Sequence, residues 1–329
     1  MVLPLLSALF LAACGKDPGL AFTDTRTPPS LGPQFWQPDG WAWGVVKIEG
    51  APENRYGVAA PAIYPHGPVM VILTGYGESA ETYFETVRDL NARGWTVWVI
   101  EPHGQGGSGK LPGAGDLGQS AGFDKDVAAV RFLIENVIRP KDRELTLAAH
   151  GSSASVALML MESGFRRVQR LFLWDADLAS PPDADRAATF TRFGLGGLRA
   201  SGEGWKRPTV NITRRAALPL AWPVANPDLR MGGPGYSWVA AKDVAVRGAA
   251  APAALARITT PVVVYGPAAR GSAPACPPAP TACTVAAEAL ANAHLAADPA
   301  RAAWLDALAP APAPEPDPAA IPSPDDHAQ

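Results

Sequence analysis

Two kinds of hydrophobic run alternate along this chain. Short continuous runs, PVMVILTG (68–75), TVWVIEP (96–102), LTLAAH (145–150), RLFLWDAD (170–177) and PVVVYGP (261–267), read as strands buried on both faces. Between them lie stretches with helical spacing. AETYFETVRDLNARG (80–94) puts Tyr83, Val87 and Leu90 on one face with Gly94 as the stop, and FDKDVAAVRFLIENVI (123–138) is amphipathic and ends before Pro140. GVVKIEG (44–50) and RYGVAAPAIY (55–64) precede them as an opening hairpin. Strand and helix repeated in this order predict an α/β fold, a mainly parallel sheet flanked by helices. The stretch between RLFLWDAD and PVVVYGP, residues 178–257, lacks a buried-strand pattern and is too long for a loop. It reads as a helical cap inserted between two core strands.

Composition narrows the class. The chain has 329 residues, 47% of them hydrophobic, enough to bury a full core, and a net charge of -3 with both signs interspersed. Nucleic acid is therefore excluded as a partner. Residues 1–14, MVLPLLSALFLAAC, hold an apolar run of about a dozen residues, too short to span a bilayer, followed by small residues and Cys14. That is a signal peptide, and Leu11-Ala12-Ala13-Cys14 resembles the lipobox of bacterial lipoproteins, whose cysteine is diacylated. The expectation is an exported protein held by lipid at Cys14 in the bacterial cell envelope, at its periplasmic or outer-membrane face. Residues 15–40 read as a tether with Phe35 and Trp36 docked, and the Pro-rich residues 309–329 as a disordered tail. In an oxidising compartment Cys276 and Cys283 form a disulfide. No histidine lies near them in sequence, so no metal is expected, nor any other cofactor.

Several stretches together resemble the α/β-hydrolase fold, specifically the lysophospholipase and monoacylglycerol lipase-like group also called serine aminopeptidase S33. LTGYGESAETYFETVRDLNARGWTVWVIEPHGQGGSGK is similar to that family's oxyanion turn, first helix and D-x-x-G-x-G-x-S turn, with Glu101 where Asp is usual, then Gly104, Gly106 and Ser108. NPDLRMGGPGYSWVAA resembles the end of the family's cap, and the likeness runs over residues 35 to 308. It implies a core in two parts, 41–177 and 258–308, with the cap between them.

The resemblance also places a catalytic triad, and here the sequence departs from it. Laid without gaps on LxLxGHSxGG, LTLAAHGSSA puts His150 on the family histidine and Gly151 on the serine nucleophile. Ala269 falls on the acid, with no Asp or Glu between Gly266 and Cys283. His294 falls on the catalytic base, and the backbone N–H groups of Tyr76 and Ser152 on the oxyanion donors. A displaced triad remains an alternative: Ser153, or Ser152, with His294 and with Asp175 or Asp177 after the RLFLW strand, giving an active esterase or lysophospholipase. The main expectation is a pseudoenzyme that keeps its cleft for an acyl or carboxylate ligand, with Trp205, Trp222, Tyr236 and Trp238 along an apolar wall.

Overall fold

The computed structural model describes residues 17–63, 66–209, 214–267 and 276–310. Cys14, Ala269 and the tail expected beyond Pro310 lie outside the described residues. An eight-stranded sheet in the order β1-β2-β4-β3-β5-β6-β7-β8 forms the centre of the α/β-hydrolase fold. The strands are β1 Ala42–Val46, β2 Asn54–Ala59, β3 Val69–Leu73, β4 Thr96–Ile100, β5 Leu145–His150, β6 Arg170–Trp174, β7 Val262–Tyr265 and β8 Cys283–Ala286. β1 and β2 make the antiparallel hairpin, β2 meets β4 antiparallel, and the pairs from β4 through β8 are parallel.

The runs expected to be covered on both faces split by alternation. Val69, Val71, Leu73, Leu145, Leu147, Leu171, Leu173, Val262 and Val264 pack on one side with α2 Phe123–Phe132, α3 Ser153–Glu162 and α6 Tyr236–Ala249. Met70, Ile72, Val97, Val99, Ala148, Phe172 and Trp174 pack on the other with α1 Phe84–Ala92 and α8 Asp298–Leu308. Beyond Ile138, where a π-helical turn extends α2, the left-handed Arg139 precedes Pro140. Residues 178–257 carry α4 Ala184–Arg192, α5 Leu218–Ala225, α6 and α7 Pro252–Leu255.

Two features differ from expectation. The described part of the expected tether, residues 17–40, is laid on the domain. Phe22 N–H donates to Gly107 O at 2.7 Å, Glu53 N–H to Gly19 O at 3.0 Å and Lys110 N–H to Pro18 O at 2.6 Å, while Leu31 and Phe35 are buried in the core. Pro and Gly here suit a close-fitting irregular strap whose backbone groups find partners on the core. Trp36 stays half exposed and donates Nε1–H to Leu31 O at 2.8 Å. The eighth strand, β8, was not expected, because CTVA has no apolar run. It pairs with β7 and carries Cys283, which is disulfide-bonded to Cys276.

Candidate functional site

Four segments converge at the carboxyl edge of the parallel strands, where open α/β sheets place their ligands. They are the turn after β3 (74–79), the bend after β5, the residues after β6, and the short 3-10 helix Ala293–Leu295 before α8. The bend after β5 is an elbow. Gly151 has φ +56°, a left-handed conformation that costs an L-residue roughly 1–2 kcal/mol, and α3 begins two residues later. No heavy atom lies within 4 Å of where a Cβ would stand. The position given to the nucleophile is thus the tip of a left-handed elbow with open space beside it and no side chain.

The neighbouring serines stand at the N-terminus of α3. Ser153 is buried and donates its hydroxyl to Thr74 O at 2.6 Å. Ser155 donates to Ser152 O at 2.7 Å, and Ser152 makes no side-chain cap to the helix it begins. Of the two acids after β6, Asp177 pairs with Lys242 from α6. Asp175, itself left-handed at φ +48°, accepts Asn292 N–H at 2.8 Å and faces His150 Nε2 at 3.4 Å. The structure therefore brings His150 to Asp175 and His294 to neither acid.

The residue that organises the centre is Glu78, which the sequence reading left unassigned. Its carboxylate accepts from Gly75 N–H at 2.7 Å, the Tyr83 hydroxyl at 2.6 Å and His150 Nδ1 at 2.9 Å on Oε2, and from His294 Nε2 at 3.2 Å on Oε1. Burial alone would raise its pKa, but the two imidazoles hold it well below the usual carboxylate range. Burial likewise works to lower the His150 pKa; Glu78 on one nitrogen and Asp175 on the other overcome it and raise it to about 9. His150 is therefore a buried imidazolium between two carboxylates.

His294 differs. Trp174 Nε1–H points at its Nδ1 from 3.3 Å, and an indole nitrogen only donates. The imidazole proton therefore resides on Nε2 and is given to Glu78. Burial, opposed by the Glu78 hydrogen bond, lowers the His294 pKa, so the ring is neutral. Tyr83 stacks on it at 5.4 Å between ring centroids and His150 meets it edge-on at 4.7 Å. A triad histidine needs the opposite arrangement: Nδ1–H donated to an acid and Nε2 free to take a proton.

Glu78, His150 and His294 also bring ligand atoms within 4.8 Å of one another, the spacing of a possible cation site. Linear spacing carried no hint of this group, since its members come from three separate turns. The donor set argues against a cation, because a metal on His294 Nε2 would leave Nδ1–H facing the Trp174 N–H. A second His–acid pair lies nearby. His103 Nδ1 meets Asp126 Oδ1 at 2.8 Å, with Ser120 Oγ 3.3 Å from Nε2. That Nε2 lone pair already receives Ala121 N–H at 2.8 Å, so the pair pins the loop after β4 and does not activate Ser120.

A small cavity lies beside the positions given to the oxyanion donors, apart from Glu78, His150 and His294. The cavity between Tyr76, Ser152, Ser153 and Trp238 is about 10 Å³. Of the four aromatics expected along an acyl wall, Trp238 reaches it. Trp222 is instead fully buried edge-on against Phe84, Tyr236 stacks on Phe190, and Trp205 lies under Arg230. Each had a packing partner on a neighbouring element, which an aromatic in an insertion finds more readily than a ligand.

Comparison with known proteins agrees with this architecture. A profile described as serine aminopeptidase, S33, matches residues 65–206. A soluble variant of monoglyceride lipase from Saccharomyces cerevisiae, solved with a substrate analog, superposes with a TM-score of 0.61 at 13% identity over 82% of this chain and 94% of that one. A carboxyl esterase from Bacillus coagulans, in complex with glycerol, gives 0.57 at 12% identity over 81% and 96%, and monoacylglycerol lipase of Paleococcus ferrophilus 0.54 at 15% over 77% and 98%. No curated protein matches the chain in sequence. The chain thus has the α/β-hydrolase fold, and its segment 65–206 matches the serine aminopeptidase S33 family.

Proposed function

We propose that this protein is an exported, lipid-anchored α/β-hydrolase relative that has lost the serine mechanism. The observation that carries the reading is Gly151 at the tip of the elbow, φ +56°, with no hydroxyl to attack a carbonyl. Removing the serine of such a triad costs on the order of a millionfold in turnover. The occupied imidazoles support the same reading, since His294 gives its Nε2 proton to Glu78. Against the displaced triad stand the Ser153 bond to Thr74 O and the pairing of Asp177 with Lys242. The cavity between Tyr76, Ser152 and Trp238, about 10 Å³, holds about one water and leaves no room there for an acyl chain. Export and lipid attachment rest on the Leu11-Ala12-Ala13-Cys14 sequence.

A fluorophosphonate probe tests the loss of chemistry. No labelling of the purified protein is expected, and no saturable hydrolysis of short p-nitrophenyl esters. Labelling that disappears in Ser153→Ala or Ser152→Ala would establish the displaced-triad esterase instead.

A further inference from the structure

A wide cavity lies at the edge of the sheet opposite Gly151. It measures about 890 Å³ and is entered where β3, β4, β5 and β6 begin. Five cationic side chains line it: Arg93, Arg139, Lys141, Arg143 and Arg170, with Trp95 and Thr146 on its walls. Asp142 and Glu144 share its lining and Asp306 pairs with Arg93, so positive charge remains in surplus.

The two arginines nearest the strands are the informative ones. Arg143 donates to Gly67 O at 2.7 Å and to Thr96 Oγ1 at 2.7 Å; Arg170 donates to Leu308 O at 2.6 Å and to Ala307 O at 2.5 Å. Neither has a carboxylate in contact among the described residues, though both are partly buried. Guanidinium groups withdrawn from water without an anion are costly, and a fixed pair of them favours oxyanions such as phosphate and carboxylate. Arg139 and Lys141 add two exposed cations from backbone held left-handed at φ +46° and +51°, with no salt bridge among the described residues. The Thr146 hydroxyl is buried on the same wall without a hydrogen-bond partner. Burial lowers the pKa of both Arg143 and Arg170, opposed at Arg170 by the charge of Glu144.

We propose that this cavity is an anion-binding site for a ligand bearing several phosphate or carboxylate groups, separate from the hydrolase centre. The chemistry has two possible sources. One is a diffusible polyanion; the other is this chain's own Glu315, Asp317, Asp325 and Asp326, which follow Pro310, a residue of the cavity wall.

Calorimetric titration of the full chain with tripolyphosphate and with citrate tests the site. The double variant Arg139→Glu with Lys141→Glu is the disruption arm, because both side chains are exposed and their loss leaves the core intact. A second full-length variant, Glu315→Gln, Asp317→Asn, Asp325→Asn and Asp326→Asn together, separates the sources. Binding to the wild-type chain that falls by about tenfold or more in the double variant supports a diffusible ligand. Binding that appears, or tightens by a similar factor, only when the four acids are neutralised supports the site with the chain's own carboxylates as its occupant. Absence of binding in both chains at millimolar ligand, or binding that the double variant leaves unchanged, overturns the proposal.

Discussion

Gly151 and Glu78 together carry the proposed loss of the serine mechanism, and each makes a separate prediction. A serine at 151 meets no atom at its Cβ, but it must adopt φ +56°. Gly151→Ser should therefore fold with a loss of roughly 1–2 kcal/mol, read from denaturant midpoints. It should still show no ester turnover above background, because His294 presents Nε2–H to Glu78 and Nδ1 to Trp174. Adding Ala269→Asp, at the position the family resemblance gives to the acid, should raise turnover above the single variant by supplying an orienter for the base. Equal turnover of the two would remove the acid from Ala269.

The charged pair in the same centre makes stability depend on pH. His150 has its pKa raised to about 9 when folded, against the ordinary imidazole value of 6.5. The folded state therefore binds its proton more tightly, and the resulting stabilisation is complete below about pH 6.5 and lost as the pH rises through about 9. His294 works in the opposite sense. Its lowered pKa contributes stability above its unfolded value that is lost as the pH falls below it. Thermal midpoints should thus be highest near neutrality and fall between pH 7 and 9.5. Glu78→Gln should flatten the alkaline limb, since it removes the carboxylate that holds the His150 proton. An unchanged alkaline limb in that variant would assign the loss to other groups.

At the scale of elements, one buried arginine joins the hairpin to the first two parallel strands. Arg55 on β2 donates to both oxygens of Glu101, at 2.8 and 2.6 Å, and to both of Glu81, at 2.9 and 2.8 Å, with no exposed surface. It also donates to Phe22 O at 2.9 Å, which ties in the N-terminal strap. The resemblance marked Glu101 as a departure from Asp; its carboxylate reaches Arg55 and accepts Ala80 and Gly107 N–H. Arg55→Met should cost about 3–5 kcal/mol in denaturant unfolding, because two buried carboxylates lose their counter-charge. A loss under about 1 kcal/mol would mean that both carboxyls take up protons without penalty.

The same elements show what the sequence disclosed. Strands such as VMVIL and LTLAAH were legible because burial on both faces leaves a continuous apolar run, and the elbow because Gly151 interrupts a family pattern at a known register. β8 was not legible, since CTVA is short and largely exposed and is fixed by pairing with β7. Glu78 was equally hidden. It sits beside glycines in a turn, and its role comes from two histidines 72 and 216 residues away. A charged residue directly after a fully buried strand, in a turn already assigned to the oxyanion donors, was the available signal.

For the whole molecule, the strap changes what lipid attachment at Cys14 would mean. Among the described residues, Pro18 makes the first backbone contact with the domain, its carbonyl accepting Lys110 N–H, and Gly15, Lys16 and Asp17 stand between it and the proposed anchor in sequence. Four extended steps span at most about 14 Å. With that anchor, the domain lies against the bilayer, and the face built from Leu20, Lys110, Gly113 and Asp228 is the one turned toward lipid. Two observations follow. Cys14→Ala should move the protein from the membrane to the soluble fraction, and the wild-type N-terminal peptide should carry the mass of its acyl chains. In vesicles, a fluorophore on Pro112→Cys should be quenched by headgroup nitroxide far more than one on Arg166→Cys, which lies beyond α3 at the opposite edge of the sheet. An unlipidated N-terminus would remove the anchor. Equal quenching at both positions of a lipidated protein would instead leave the anchor standing and overturn the fixed orientation.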